Sequence, residues 1–268
     1  MAQNDDMPLT FYRKPGLVVY VTCGDPDLTT TRKIVLAAIE AGADVIELGV
    51  PFSDPVADGP VIQRASERAL KNGTSLAQVL TLAAEVRQQA QSTGLVVFSY
   101  LNPILRMGIL KFCSVARHAG LDGVLVTDLP VEEADEYLRA MKACDLSPIF
   151  LAAPTSPDAR LKRIAGASRG FVYAVSRTGV TGARQQLAED AQKLVRRLRK
   201  ITRLPIAVGF GISNATQFAE VGAFADAVVV GSAIVETIEK NRGWEADAVR
   251  EFVEKLSVVS CEPSVKTL

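Results

Sequence analysis

Ala41-Gly42-Ala43-Asp44-Val45-Ile46-Glu47-Leu48-Gly49-Val50 runs directly into Pro51-Phe52-Ser53-Asp54-Pro55-Val56-Ala57-Asp58-Gly59-Pro60, and together they read as helix end, strand and loop in succession. Gly42 stands where a helix closes on a left-handed residue, a conformation glycine adopts without a Cβ penalty. Residues 44–49 form a short apolar run of the length and composition of a strand. The loop half carries too much Pro, Gly and Asp for either regular structure. The first unit recurs as Ala119-Gly120-Leu121-Asp122, again feeding an apolar run, so the two αβ turns are equivalent.

Seven further apolar, β-branched runs lie at 17–22, 95–99, 122–126, 147–152, 170–175, 204–208 and 226–230. Helical periodicity fills the intervals near 28–41, 61–72, 75–91, 108–119, 131–144, 157–166, 185–201, 213–221, 232–239 and 245–256. Asn72-Gly73 and Val221-Gly222 repeat the glycine stop. Strands alternating with helices predict parallel βα units. Eight such strands make either a closed barrel or an open doubly wound sheet, and periodicity does not choose between them. No Gly-x-Gly-x-x-Gly opens the first helix, which lowers the dinucleotide-binding sheet. The irregular loops all follow strands, where a barrel keeps its chemistry. The expectation is an α/β fold, one (β/α)8 TIM-barrel domain over residues 1–268 with its core at about 16–256 and a short extra helix after the eighth strand. Residues 1–15 and the tail 257–268 are read as peripheral.

Composition narrows the function. The chain has 268 residues, 48% of them hydrophobic, enough for a substantial core. Thirty Lys and Arg balance thirty Asp and Glu, so no basic field draws nucleic acid. The start, Met1 to Pro8, lacks the basic and apolar regions of a signal peptide. No apolar run reaches the roughly 18 residues of a membrane span. Cys23, Cys113, Cys144 and Cys261 form no Cys-x-x-Cys pair, so neither a disulfide framework nor a zinc site is signalled. The expected compartment is the cytoplasm.

Candidate chemistry gathers in the loops. Glu47 lies among residues that favour burial, where an ionised carboxylate is costly and its pKa rises; the alternative is an acid held by a structural Arg or Lys. Asp54 and Asp58 compete for a second acidic role, and either could serve only as a turn cap. Asp25, in Cys23-Gly24-Asp25-Pro26, is placed to cap the first helix. Ser176-Arg177-Thr178-Gly179-Val180-Thr181-Gly182 has the composition of a closing loop or of an ordinary connection. Gly209-Phe210-Gly211-Ile212-Ser213 and Gly231-Ser232-Ala233-Ile234 follow the last two strands, where backbone N–H groups and a helix N-terminus can hold phosphate. His118, the only histidine, precedes Ala119-Gly120 at the opposite end. That placement removes a Ser-His-Asp triad and a two-histidine metal site, and no lysine in a strand run offers a Schiff base. Metal-free carboxylate acid/base catalysis on a phosphorylated substrate remains.

Four motifs, 47–60, Asp128-Leu129-Pro130-Val131-Glu132-Glu133, 176–182 and 209–213, resemble in order and spacing the tryptophan synthase alpha-subunit family over roughly residues 16–256. The resemblance implies a retro-aldol cleavage of indole-3-glycerol phosphate to indole and glyceraldehyde 3-phosphate. It further implies that indole passes to a beta subunit in an alpha2beta2 assembly, and that the pyridoxal phosphate cofactor belongs to that partner. On this match Glu47 and Asp58 are catalytic, Asp58 being preferred to Asp54. Tyr20, Ile62, Phe98, Tyr100 and Tyr173 surround the indole and glycerol portions. Gly182, Phe210, Gly211, Gly231 and Ser232 hold phosphate, and Thr181 latches Asp58 when the loop closes. Pro51, Asp54, Pro55, Asn102 and Pro130 face the beta subunit.

Two features depart from the family pattern. Members begin with an amphipathic helix under the barrel, whereas Pro8 and Pro15 here bracket only six residues, so the cap is expected to be short or irregular. The tail from Val259 lies outside the family core. A stand-alone lyase, another metal-free phosphosugar barrel such as an isomerase, and a non-catalytic barrel that binds a phosphorylated ligand are the competing readings.

Overall fold

The computed structural model describes residue 9 and residues 11–175, 184–209 and 211–260, with the side chains of 184–188 and 259–260 excepted. Its strands are β1 (Gly16–Thr22), β2 (Val45–Gly49), β3 (Gly94–Ser99), β4 (Gly123–Val126), β5 (Ser147–Ile149), β6 (Leu151–Ala152), β7 (Val172–Val175), β8 (Ile206–Gly209) and β9 (Ala227–Val230). They pair in the order β5-β4-β3-β2-β1-β9-β8-β7-β6. The two ends of that order are neighbours in the chain: only Phe150 separates β5 from β6. One half of this broken strand pairs in parallel with β4 and the other with β7. The sheet therefore closes on itself as a (β/α)8 barrel, and the open doubly wound alternative falls away.

Strand periodicity decides what enters the barrel. Successive side chains point to opposite faces. In β1, Leu17, Val19 and Val21 pack outward against helices while Val18 joins the interior. In β2, Ile46 and Leu48 pack outward and Val45 inward, so Glu47 also points inward, one layer above Val45. Val18, Val45, Val96, Leu125, Ile149, Ala207 and Ala227 fill the middle of the interior.

The barrel floor is closed by the side chains of Leu9 and Phe11. Leu9 is fully buried. A Cβ on Gly94 or Gly170 would stand 2.8 Å from Leu9, and one on Gly123 would stand 3.0 Å from it. Three strand-edge glycines thus make the socket for one leucine. Phe11 occupies the space beside Gly16 and packs its ring 5.7 Å from that of Phe171. The irregular cap expected between the two prolines is an apolar plug.

The repeated Ala-Gly-x-Asp turn has a definite task. Asp44 Oδ2 accepts from the Leu17 N–H at 2.8 Å and Asp122 Oδ2 from the Leu95 N–H at 2.8 Å. Asp226 does the same for Ile206 at 2.9 Å. Each carboxylate entering a strand reaches the start of the strand before it, satisfying a buried donor and setting βα register.

The helices are α1 (Leu28–Glu40), α2 (Pro60–Lys71), α3 (Leu76–Gln89), α4 (Leu101–Met107), α5 (Ile109–His118), α6 (Asp135–Ala143), α7 (Asp158–Ala167), α8 (Arg184–Arg199), α9 (Ala215–Gly222), α10 (Ser232–Lys240) and α11 (Glu245–Ser260). Helix α4, which contains Pro103, has no counterpart in the sequence reading. Pro103 falls in the first turn, where a missing N–H costs nothing. The span 131–144 divides into a 3-10 turn, Val131–Glu133, and α6. Gly42, Gly73 and Gly120 have φ of +108°, +75° and +79°, as expected of left-handed caps. Gly222 is different. It ends α9 before Ala223 at φ −62°, and Pro15 fills the place of its Cβ. Residues 257–260 continue α11 rather than a loose tail, and Ser257 Oγ donates to the Ala41 carbonyl at 2.9 Å. Among the described residues no helix is long and apolar enough to cross a membrane.

Candidate active site

Glu47 sits mid-strand, in register with Tyr20 of β1 and Val96 of β3. Its exposure is 0%, and neither carboxylate oxygen has a hydrogen-bond partner among the described residues. A charge there has no compensation, so burial pushes the pKa up to about 8. At neutral pH the side chain is mainly the protonated acid. The structural alternative, an acid pinned by Arg or Lys, is not what the described residues form around it.

Asp58 occupies the loop after β2. Burial raises its pKa to about 6, against the opposing hydrogen bond from Tyr100. Tyr100 Oη donates to Asp58 Oδ2 at 3.1 Å and accepts from the Ala57 N–H at 3.0 Å. Phe52 stacks on the Tyr100 ring at 4.9 Å. The Asp58 carbonyl accepts from Gln63 Nε2 of α2 at 2.8 Å. The loop is thus held around the carboxylate by Tyr100, the N-cap of α4, and by Gln63 of α2. Asp54 instead lies exposed, accepting from Ser53 Oγ at 2.6 Å. Geometry separates the two aspartates that sequence left equal.

A cavity of about 130 Å³ opens at the C-terminal mouth of the barrel with Glu47 in its wall. Tyr20, Ile62, Phe98 and Tyr173 supply apolar and aromatic surface, and Gly211, Gly231 and Ser232 line it as well. Tyr20 and Phe98 meet edge to face at 5.1 Å. Burial holds the Tyr20 and Tyr173 phenols neutral, their pKa values driven well above the ordinary one. Tyr100 stands outside this cavity, on Asp58. A wider groove of about 410 Å³ between α1 and α3 has no wall from any strand and no contact with either acid.

The far side of the cavity is a helix start. Gly231 is the N-cap of α10, and no side chain caps it. Asn214, by contrast, caps α9 through Gln217 N–H at 3.0 Å. Uncapped N–H groups and the helix dipole favour an anion at α10. Thr181, Gly182 and Phe210, also expected at this end, lie outside the described residues.

Of the residues expected to face the partner, Asp54, Asn102 and Pro130 are exposed, Pro55 is half-buried and Pro51 is buried. Val56, 86% exposed, and Leu105 add apolar surface there that sequence reading did not single out. Two positioning glycines were also missed. A Cβ on Gly209 would lie 2.6 Å from Tyr173 Oη, and Tyr20 Oη fills the equivalent space at Gly49. Only strand register reveals such pairs. Asp25, expected to cap α1, is buried and ion-paired; the cap is Asp27, which accepts from the Thr30 N–H at 2.8 Å. His118 is exposed at the end of α5, its Nδ1 2.7 Å from the Ser114 carbonyl. Among the described residues no three His, Cys, Asp or Glu side chains cluster as a metal site.

A family model described as tryptophan synthase alpha chain matches residues 9–263. The tryptophan synthase alpha chain of Methylococcus capsulatus is 48% identical over 246 residues, covering 92% of each chain. That of Solibacter usitatus is 52% identical over 228 residues, covering 85% of each. Among solved structures, Mycobacterium tuberculosis tryptophan synthase superposes with a TM-score of 0.86 at 37% identity, over 93% of this chain and 94% of that one. The tryptophan synthase complex of Pyrococcus furiosus gives 0.84 at 39% identity, over 93% and 100%.

Proposed function

Because the chain belongs to the tryptophan synthase alpha chain family, we propose that Glu47 and Asp58 carry out its lyase reaction, the cleavage of indole-3-glycerol phosphate to indole and glyceraldehyde 3-phosphate. The observation that carries this assignment is the Glu47 carboxyl, fully buried, without a partner among the described residues, and walled into an aromatic cavity.

The chemistry follows from the two environments. Glu47 begins protonated and delivers its proton to the indole ring carbon at the scissile bond. Positive charge then develops at the ring nitrogen, where ionised Asp58 stabilises it. The Glu47 carboxylate next takes the proton of the adjacent side-chain hydroxyl. The carbon–carbon bond breaks, its electron pair returns to the ring and neutralises the nitrogen, and the hydroxyl carbon leaves as the aldehyde. Glu47 ends as it began, so the cycle needs no other proton source and no cofactor in this chain.

Tyr20, Ile62, Phe98 and Tyr173 hold the indole by apolar contact. The α10 N-terminus, with Gly211, Gly231 and Ser232, holds the phosphate, and Gly182 and Phe210 join it. Tyr100 acts through Asp58, and Thr181 closes on that carboxylate. The protein is the alpha component of an alpha–beta assembly. Pro51, Asp54, Pro55, Asn102 and Pro130 form the docking face, and pyridoxal phosphate resides in the beta subunit. Cys23, Cys113 and Cys144 are all free thiols, which suits a reducing cytoplasm.

Glu47→Gln tests the assignment. It should abolish indole formation from indole-3-glycerol phosphate while leaving the circular dichroism spectrum and melting curve intact. A folded Glu47→Gln variant that still makes indole at the wild-type rate removes Glu47 from the mechanism.

A further inference from the structure

The two helices that start at the cavity are tied together away from it. Helix α2 begins two residues after Asp58 and gives Ile62 to the cavity wall, while α10 begins at Ser232 on the phosphate side. Ala65 and Val235 pack together with Tyr20 between barrel and helices. Farther along, Glu239 accepts a two-pronged bond from Arg64, at 3.0 Å from Nε and 2.7 Å from Nη2. It also accepts from Arg68 Nη1 at 2.8 Å. Arg68 turns its remaining edge to Asp25, at 2.9 Å from Nε and 2.7 Å from Nη2. Asp25, 1% exposed in the loop after β1, also accepts from Arg242 Nη2 at 3.2 Å. One guanidinium therefore joins α2, α10 and the barrel mouth, and none of these charged groups lines the cavity.

We propose that the Asp25–Arg68–Glu239 network is a positioning device for the lyase reaction, setting the separation between Asp58 at the head of α2 and the phosphate-binding head of α10. The proposal rests on the function assigned above. A substrate gripped at both ends brings its ring carbon to Glu47 only if those ends are correctly spaced. Ala65 of α2 and Val235 of α10 meet in one apolar cluster with Tyr20, and apolar contact is non-directional. Planar guanidinium forks fix direction as well as distance. The pairs from Arg64 and Arg68 to Glu239 are partly exposed, a setting in which ion pairs add little stability. Their geometry is the larger contribution.

Glu239→Ala is the informative variant, because Arg68 stays on Asp25 and no buried charge loses its partner. The expected result is a kcat for indole formation lowered about tenfold with KM changed less than about twofold, since misplacement costs rate rather than contacts. The pH profile should keep its shape, because Glu47 and Asp58 are untouched, and Glu239→Gln, which retains an acceptor oxygen, should recover most of the rate. A folded Glu239→Ala variant with wild-type kcat overturns the proposal. If Glu239→Ala does not fold, Glu239→Asp, which keeps the charge but shortens its reach, takes its place, and a wild-type kcat in that folded variant overturns the proposal. Wild-type protein that makes no indole sinks the underlying reading instead.

Discussion

Tyr100→Phe isolates the control of Asp58. The ring stays stacked on Phe52, and only the hydroxyl between Asp58 Oδ2 and the Ala57 N–H is lost. A hydrogen bond to a charged group contributes about 1.5–3 kcal/mol. Asp58 is part-exposed, so water replaces some of that, and about 1.4 kcal/mol, or one pH unit, is the expected effect. The lost donor favoured the ionised form, so its removal raises the Asp58 pKa from about 6 to about 7. With Asp58 active when ionised, kcat/KM should fall about fivefold at pH 6 and by only about a tenth at pH 8. The alkaline limb should stay near 8, where Glu47 loses its proton. Initial rates of indole formation between pH 5 and 9, wild type against variant, measure both limbs. An acid limb that does not move refutes the coupling. A loss equal at every pH shows that Tyr100 acts on the substrate directly.

Two other perturbations probe the plug and the partner face. Leu9→Ala should destabilise the barrel by about 2–5 kcal/mol, the cost of a buried leucine whose socket cannot collapse, read as a lower midpoint in urea. An unchanged midpoint would mean the floor closes without it. Val56→Asp places a charge on the exposed apolar tip beside Asp54 and Pro55; it should leave the isolated chain's melting curve unchanged and reduce the stimulation of indole formation by beta subunit. Full stimulation would place the contact elsewhere.

Local chemistry made much of the fold legible. Gly42 and Gly120 end helices because only a left-handed residue fits, and the apolar runs after them are strands because eight recur at βα spacing. The errors have physical causes. The short helix α4 was passed over; its Pro103 is harmless because it lies in the first turn. Asp25 reads as a cap because it stands near a helix start; Asp27, two residues on, does that work, while Asp25 answers to Arg68, distant in sequence. Gly222 reads as a stop signal, yet it is small to admit Pro15. For Asp25 and Gly222, the deciding partner is remote along the chain.

The acids show the same division. Sequence alone placed Glu47 in an apolar strand and Asp54 and Asp58 in an irregular loop, because burial preference and turn chemistry are properties of neighbouring residues. It determined the βα repeat, the residues able to move protons and the balanced net charge. Tertiary structure decided that the sheet closes through the strand broken at Phe150. It turned Glu47 inward without a partner among the described residues and gave Asp58, not Asp54, the Tyr100 hydroxyl. Closure, strand register and desolvation are set by groups brought together across the barrel, and these are what turn two carboxylates of one stretch into an acid with pKa about 8 and another with pKa about 6.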